Sequence, residues 1–186
     1  MLFLAFNGFL RFSELSKIKY SELEFHDTHL KLYIPSSKTD MYRMGKWVHI
    51  ARNGTEMCPV KILKAYLEKA KINDEANGSF IFRALTKSKY NESLRKNNTP
   101  LSYTRVREIV LDAVRCIGLD PSRYGTHSLR SGGASCVANA GLPDRIFKRH
   151  GRWRTDHAKD MYVQDDLNNL LSVTNLIQAE LQTNKK

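Results

Sequence analysis

The sequence is poor in several things, and each shortage excludes something. It holds three cysteines, Cys58, Cys116 and Cys136. Their odd number and the lack of a CxxC pair argue against a disulfide scaffold and for reduced thiols in an intracellular protein. The histidines show no zinc spacing, since His127, His150 and His157 have no Cys or His at ligand intervals. A mechanism without metal or cofactor is therefore expected. No apolar run is long enough to span a membrane: MLFLAFNGFLRF is cut short at Arg11 and lacks both a basic leader and a small-residue cleavage site. It reads as a helix beginning inside a domain. There is no internal repeat and no low-complexity segment. Acidic residues are also few, 19 Asp and Glu against 30 Lys and Arg, for a net charge of +11 over 186 residues. Such a field attracts polyanions, nucleic acid before anionic membrane, although many basic proteins of other function share it. A hydrophobic content of 41% is ordinary for a folded domain with a real core.

What the chain does have converges on residues 125–164, GTHSLRSGGASCVANAGLPDRIFKRHGRWRTDHAKDMYVQ. His127 and Arg130 are three residues apart, which on a helix is one face, so both can address one small target. The planar fork of an arginine suits a phosphate. A tyrosine hydroxyl is a latent nucleophile, weak at its free pKa of about 10 unless neighbours favour the oxyanion. Trp153 lies 23 residues after Arg130, and Tyr162 nine after Trp153. Together they suggest attack on a phosphodiester by tyrosine.

In chain order, Met1 to about Ile18 reads as a helix apolar around most of its circumference. Arg11 inside it has two readings: an i,i+3 pair with Glu14 on a helix surface, or an arginine steadied by Glu14 and facing a phosphate. Between Lys19 and Arg52 the alternation of Leu23–Phe25, Leu30–Ile34 and Trp47–Ile50 predicts a small antiparallel sheet of three strands. Lys38 falls in the turn between the last two, either a solvated turn lysine or a mobile proton donor. Pro59 opens a helix to about Lys71, and residues 73–78 read as a turn. Thr86 to Thr99 reads as a polar, basic loop. Ser102 caps a helix to Ile117, ended by Gly118. Helices follow over the His127 segment and over Asp144–Arg149, then a last turn or helix bearing Tyr162. Asp165 to Leu181 forms a final amphipathic helix, expected to pack on its own domain or to dock on a neighbouring copy. The fold class is α+β, mostly helical with the small sheet.

With these residues placed, nearly the whole sequence resembles the catalytic domain of the tyrosine recombinases, the phage integrase family. Leu10-Arg11-Phe12-Ser13-Glu14-Leu15 is similar to the family's first arginine box, Lys38 lies where the family keeps its lysine, and His127-Ser128-Leu129-Arg130 is similar to its H-x-x-R box. Trp153 takes its His-or-Trp position and Tyr162 has the nucleophile spacing. The resemblance implies that Arg11 and Arg130 grip the non-bridging phosphate oxygens, that the Trp153 indole donates to the same group, and that Tyr162 forms a 3′-phosphotyrosyl link. Lys38 would protonate the leaving 5′-oxygen and His127 would assist proton movement. Tyr124 competes as the reactive tyrosine but lacks the downstream spacing. His150, twelve residues from Tyr162, is expected to support the site or lie on the surface.

The resemblance also implies double-stranded DNA as partner and a homo-oligomer, a tetramer on DNA, with neither membrane nor small-molecule substrate. The location is nuclear in a eukaryote and cytoplasm or nucleoid in a bacterium. Residues 1–164 correspond to the catalytic domain, expected to be shortened at its start and to lack the family's N-terminal DNA-clamping domain. Residues 165–186 form the C-terminal helix and tail, a protomer-exchange segment in one reading. DNA binding should then be weak, salt-sensitive and poorly specific, and part of the Met1–Phe12 face should be uncovered. Gly151-Arg152-Trp153 carries Arg where many bacterial members have Gly, wording closer to recombinases of eukaryotic mobile elements. Two alternatives stay open: relaxation of supercoils in the manner of a type IB topoisomerase, and a noncatalytic DNA-binding remnant.

Overall fold

The computed structural model describes residues 1–36, 42, 44–73, 78–87 and 92–183. Lys38 lies outside them, as do residues 74–77 of the expected turn. The three-stranded sheet forms as the alternation predicts, β1 (Leu23–Phe25), β2 (His29–Ile34) and β3 (Lys46–Ala51), antiparallel in that spatial order. Leu30 faces Ile50 and Leu32 faces Val48 across β2 and β3, and all four are buried. The period of two sends His29, Lys31 and Tyr33 to the other face, where the Lys31 ammonium lies 4.4 Å from the centre of the Trp47 ring.

The inner face of the sheet packs on α1 (Leu2–Asn7), α2 (Phe12–Leu15) and α3 (Pro59–Lys69), through Leu4, Leu10, Leu15, Leu63 and Leu67. Pro59 sits in the first turn of α3, where its missing N–H leaves no bond unmade. Ser102 accepts from the Arg105 N–H at the start of α4 (Tyr103–Cys116), and Gly118 takes the left-handed conformation beyond it, φ 76°.

The single helix expected over Met1–Ile18 is two short helices. α1 ends in a Schellman motif, with Phe9 N–H on the Phe6 carbonyl and Leu10 N–H on the Ala5 carbonyl. The residue that turns left-handed is Phe9 (φ 47°), not its glycine neighbour. Tertiary packing sets this, because the Phe9 ring is buried against Phe147, His150 and Trp153. Arg11 is consequently not inside a helix; it is the N-cap of α2, with its N–H on the Glu14 carboxylate at 2.8 Å.

Two further expectations are corrected. The polar stretch after Thr86 is not wholly loop, because β4 (Leu85–Lys87) and β5 (Glu92–Leu94) pair as a hairpin whose Leu94 leans on the core. The last helix, α8 (Leu167–Thr183), does not pack on its own domain. Leu170, Leu171, Val173, Leu176, Ile177 and Leu181 along it are all exposed. Its start is tied down by the Asn139 side chain, bonded to Asp166 N–H and to Asn169. Met1, Phe3 and Leu4 line an apolar groove of about 570 Å³ with Tyr66, Phe82 and Ile109. Among the described residues no helix is long and apolar enough to cross a membrane.

Candidate active site

The remaining helices, α5 (Ser128–Asn139), α6 (Asp144–Gly151) and α7 (Asp156–Asp160), close against α1 around a second, smaller cluster of Phe9, Ala134, Phe147 and Trp153. Two glycines permit the approach. A Cβ on Gly133 would stand 2.3 Å from the Phe6 carbonyl oxygen, so α5 meets α1 backbone to backbone. A Cβ on Gly151 would stand 1.7 Å from the Trp153 ring, which packs directly on that residue.

Arg130 is carried into this junction from the first turn of α5 and has no exposed surface (0%). Its Nη1 donates to the Phe9 carbonyl and its Nη2 to the Gly151 carbonyl, the latter at 2.7 Å. The guanidinium carbon lies 4.6 Å from the Trp153 ring centre and 4.8 Å from that of Tyr162. The two rings are 5.6 Å apart, so the three groups form a near-equilateral triangle rather than a sandwich. Burial, then the charges of Arg11 and Arg152, push the Arg130 pKa down to about 10; Glu14 and the Tyr162 phenol act in the opposite sense.

Buried donors here that find no hydrogen-bond partner among the described residues include Arg130 Nε and Trp153 Nε1. An indole N–H only donates, and leaving a buried donor unpaired costs about 1–3 kcal/mol. Tyr162 follows α7, half-buried, with its carbonyl held by the Ser131 and Ser135 hydroxyls at 2.8 and 3.3 Å. Those serines lie on the same helix as Arg130, so α5 positions the guanidinium and the tyrosine together.

Arg11 makes the pair that both of its readings share: Nη1 meets Glu14 Oε1 at 3.2 Å, and the Arg11 side chain keeps 13% of its surface open against 2% for Glu14, so the pair is not on a helix surface. The same carboxylate takes Arg152 Nη2 on Oε2 at 2.8 Å. Three guanidiniums thus converge with one carboxylate between them. His127 does not share the buried environment of Arg130; it is exposed at the N-cap of α5. Tyr124 stands before the helix, after a short 3-10 turn over Pro121–Arg123, half-buried. His150 supports the junction: its Nε2 meets the Asn7 carbonyl at 2.8 Å, its ring stands edge-on to Phe9, and burial holds its pKa below the ordinary value.

The sequence therefore leads to four residues that the fold gathers, Arg11, Arg130, Trp153 and Tyr162, and to His127, which stands outside the buried group. It gives Arg152 no role in the site and marks it only as an arginine where many family members have glycine. Nor does it lead to the cleft of about 580 Å³ between β3 and α6, lined by Lys46, His49, Lys148, Arg149 and Trp153. Both cleft walls are basic, so the net charge of the chain is locally concentrated beside the indole.

The architecture and sequence match known proteins. The phage integrase family model aligns with residues 1–168. The chain belongs to that family. This integrase-family chain is 32% identical over 165 residues to an integrase/recombinase xerD homolog of Selenomonas ruminantium, covering 88% of the chain and 46% of the relative. It spans about half the length of the proteins it matches. Its fold is similar to the XerH site-specific recombinase bound to palindromic difH in a post-cleavage complex (TM-score 0.70, 14% identity, 95% of this chain and 44% of that one). It is also similar to the XerA recombinase (TM-score 0.66, 19% identity, 93% and 54%). A lambda integrase dimer bound to a core site gives a TM-score of 0.57 at 19% identity, over 89% and 51% of the two chains.

Proposed function

We propose that this domain breaks and rejoins DNA strands through a 3′-phosphotyrosyl intermediate on Tyr162, in site-specific recombination or the integration of a mobile element. The observation that carries the reading is that Arg130 Nε and Trp153 Nε1 are buried without a hydrogen-bond partner among the described residues, beside a tyrosine and an excess of guanidinium charge. A phosphodiester supplies what that junction lacks, oxygen acceptors and negative charge. In the reading, Tyr162 Oη bonds to phosphorus and the P–O5′ bond breaks. Arg11, Arg130 and Trp153 stabilise the charge that builds on the non-bridging oxygens. Lys38 gives the departing 5′-oxygen its proton, and His127 moves a proton at the phosphate from its exposed position. The energy of the broken bond is kept in the protein–DNA link, so a 5′-hydroxyl can reverse the step without a nucleotide cofactor.

Arg130 has no exposed surface and the Trp153 and Tyr162 rings lie 4.6 and 4.8 Å from its guanidinium carbon, so the reading requires side chains that cover it to move before a phosphate reaches it. The basic cleft between β3 and α6 leads to Trp153 and suits the DNA backbone. That XerH and lambda integrase are seen with DNA supports the same partner here. The exposed apolar side chains of α8 support a second part of the reading, in which this helix docks on a neighbouring protomer of a DNA-bound tetramer inside the cell.

The test is covalent trapping. Wild-type protein and Tyr162→Phe are incubated at low salt, without metal, with a pool of nicked suicide duplexes, then resolved on denaturing gels. A shifted adduct is expected with wild type alone; an adduct that survives the substitution refutes Tyr162 as nucleophile. Removing residues 165–186 should leave the domain folded and abolish assembly on DNA in sedimentation, and unchanged assembly refutes the exchange.

A further inference from the structure

Arg152 is an arginine in a place that suits glycine. It terminates α6 with φ 60° and ψ 29°, and the Trp153 N–H bonds back to the Lys148 carbonyl in a second Schellman motif. Any residue with a Cβ is strained there, and glycine is not. The side chain is also costly to bury: it is 2% exposed, and desolvation is the main cause of its lowered pKa. Backbone preference and desolvation both disfavour an arginine here, so what its guanidinium holds must outweigh them.

It holds one acceptor of each of the other two arginines. Nη1 donates to the Gly8 and His150 carbonyls, each at 3.1 Å. Nη2 donates to the Phe9 carbonyl at 3.1 Å and to Glu14 Oε2 at 2.8 Å. The Phe9 carbonyl is also the acceptor of Arg130 Nη1, and the Glu14 carboxylate is also the acceptor of the Arg11 N–H and Nη1. Arg152 therefore bridges the corner after α1 to the segment that carries Trp153, and sets the acceptors of Arg11 and Arg130 at once. A lysine could not replace it, because a point ammonium cannot span acceptors laid out for a planar fork.

We propose that Arg152 is a positioning residue for the phosphate site: it orients Arg11 through Glu14 and Arg130 through the Phe9 carbonyl, and does not touch DNA itself. This inference rests on the reading of that cluster as the phosphate site. It predicts that the charge of Arg152 matters less than its fork, and that its loss weakens capture of a phosphate without weakening general attraction to DNA.

The test uses Arg152→Gly, which suits the left-handed backbone, and Arg152→Lys, which keeps the charge. Each is made in a Trp47→Phe background, leaving Trp153 as the one tryptophan, since the chain has two. Thermal unfolding first establishes that the variants fold. Inorganic phosphate is then titrated while Trp153 fluorescence is read, and the affinity for a nonspecific duplex is measured by anisotropy. Both variants should need about tenfold or more phosphate for half-saturation, as happens when groups orienting a ligand-binding side chain are removed, with duplex affinity within about twofold. In single-turnover trapping, the rate at saturating suicide duplex should fall about 100-fold while half-saturation stays near wild type, the mark of misplaced groups rather than lost binding. A folded glycine or lysine variant that binds phosphate like the parent overturns the proposal. So does a parent protein whose Trp153 signal ignores phosphate, or the failure of both variants to fold, which makes the role purely structural. If the parent senses phosphate but forms no Tyr162 adduct, the strand-cleavage reading fails while the phosphate titration still decides the role of Arg152.

Discussion

Replacing Glu14 by glutamine removes one charge and almost no volume, which makes it a clean probe of the arginine cluster. The Glu14 side chain, 2% exposed, accepts from the Arg11 N–H at 2.8 Å, Arg11 Nη1 at 3.2 Å and Arg152 Nη2 at 2.8 Å. A glutamine amide keeps one oxygen and turns an N–H₂ toward a guanidinium, donor against donor. It also leaves Arg11, Arg130 and Arg152 without the carboxylate between them. Removing one partner of a buried ion pair costs about 3–5 kcal/mol, because the other charge stays buried. Total stabilities of domains are about 5–15 kcal/mol, so the variant should fold but lose much of its margin. For a chain of this length each kcal/mol moves the midpoint by about 2–4 °C, which gives a fall in Tm of roughly 6–20 °C. Phosphate or sulfate should then raise the Tm of the variant more than that of wild type, since an anion bound to the native state alone replaces the missing charge. Circular dichroism or calorimetry with and without phosphate reads both effects. A fall smaller than about 3 °C, or equal anion stabilisation of the two proteins, would refute the view that Glu14 is the internal counter-ion of the three guanidiniums.

Two other perturbations follow from the same junction. Gly151→Ala places a Cβ 1.7 Å from the Trp153 ring and should destabilise the fold by about 1–3 kcal/mol while shifting Trp153 emission; an unchanged denaturation midpoint would contradict the packing. His150 is held neutral by burial, below its ordinary 6.5. A base with a depressed native pKa contributes stability that is complete above about pH 6.5 and fades as pH falls through the lower native value. His150→Gln, whose amide can still donate to the Asn7 carbonyl, should flatten the acid limb of the Tm profile; identical limbs would rule His150 out as its source.

The parts of this fold that announce themselves in the sequence are those governed by short-range rules. Leu30, Leu32, Val48 and Ile50 alternate because one face of the sheet is buried. Pro59 and Ser102 mark helix starts because their missing or offered hydrogen bonds matter only there. The intervals from Arg130 to Trp153 and Tyr162 are legible for a different reason, since they match a family. The corners were not legible. Phe9 and Arg152 take the left-handed conformation although neither residue type prefers it, because long-range packing and hydrogen bonding dictate the backbone. Likewise, the spacing of His127 and Arg130 announced a shared face, but the helix begins between them, and one is exposed while the other is sealed. The apolar stripe of α8 announced that a surface wants cover without saying in which molecule.

Arg130 is tied to a carbonyl 121 positions earlier in the chain, and Arg152 to Glu14 across 138. Closing a loop of that length costs about 4 kcal/mol in chain entropy, which only contacts between distant segments can offset. On a ribosome, the sheet and α3 are complete long before α6 emerges, so the arginine cluster is among the last features to form. On warming, the same logic runs backwards. Fraying of α6 and α7 from α1 unmakes the cluster while the main core persists. The temperature at which the arginine cluster comes apart should therefore lie below the temperature at which the protein unfolds.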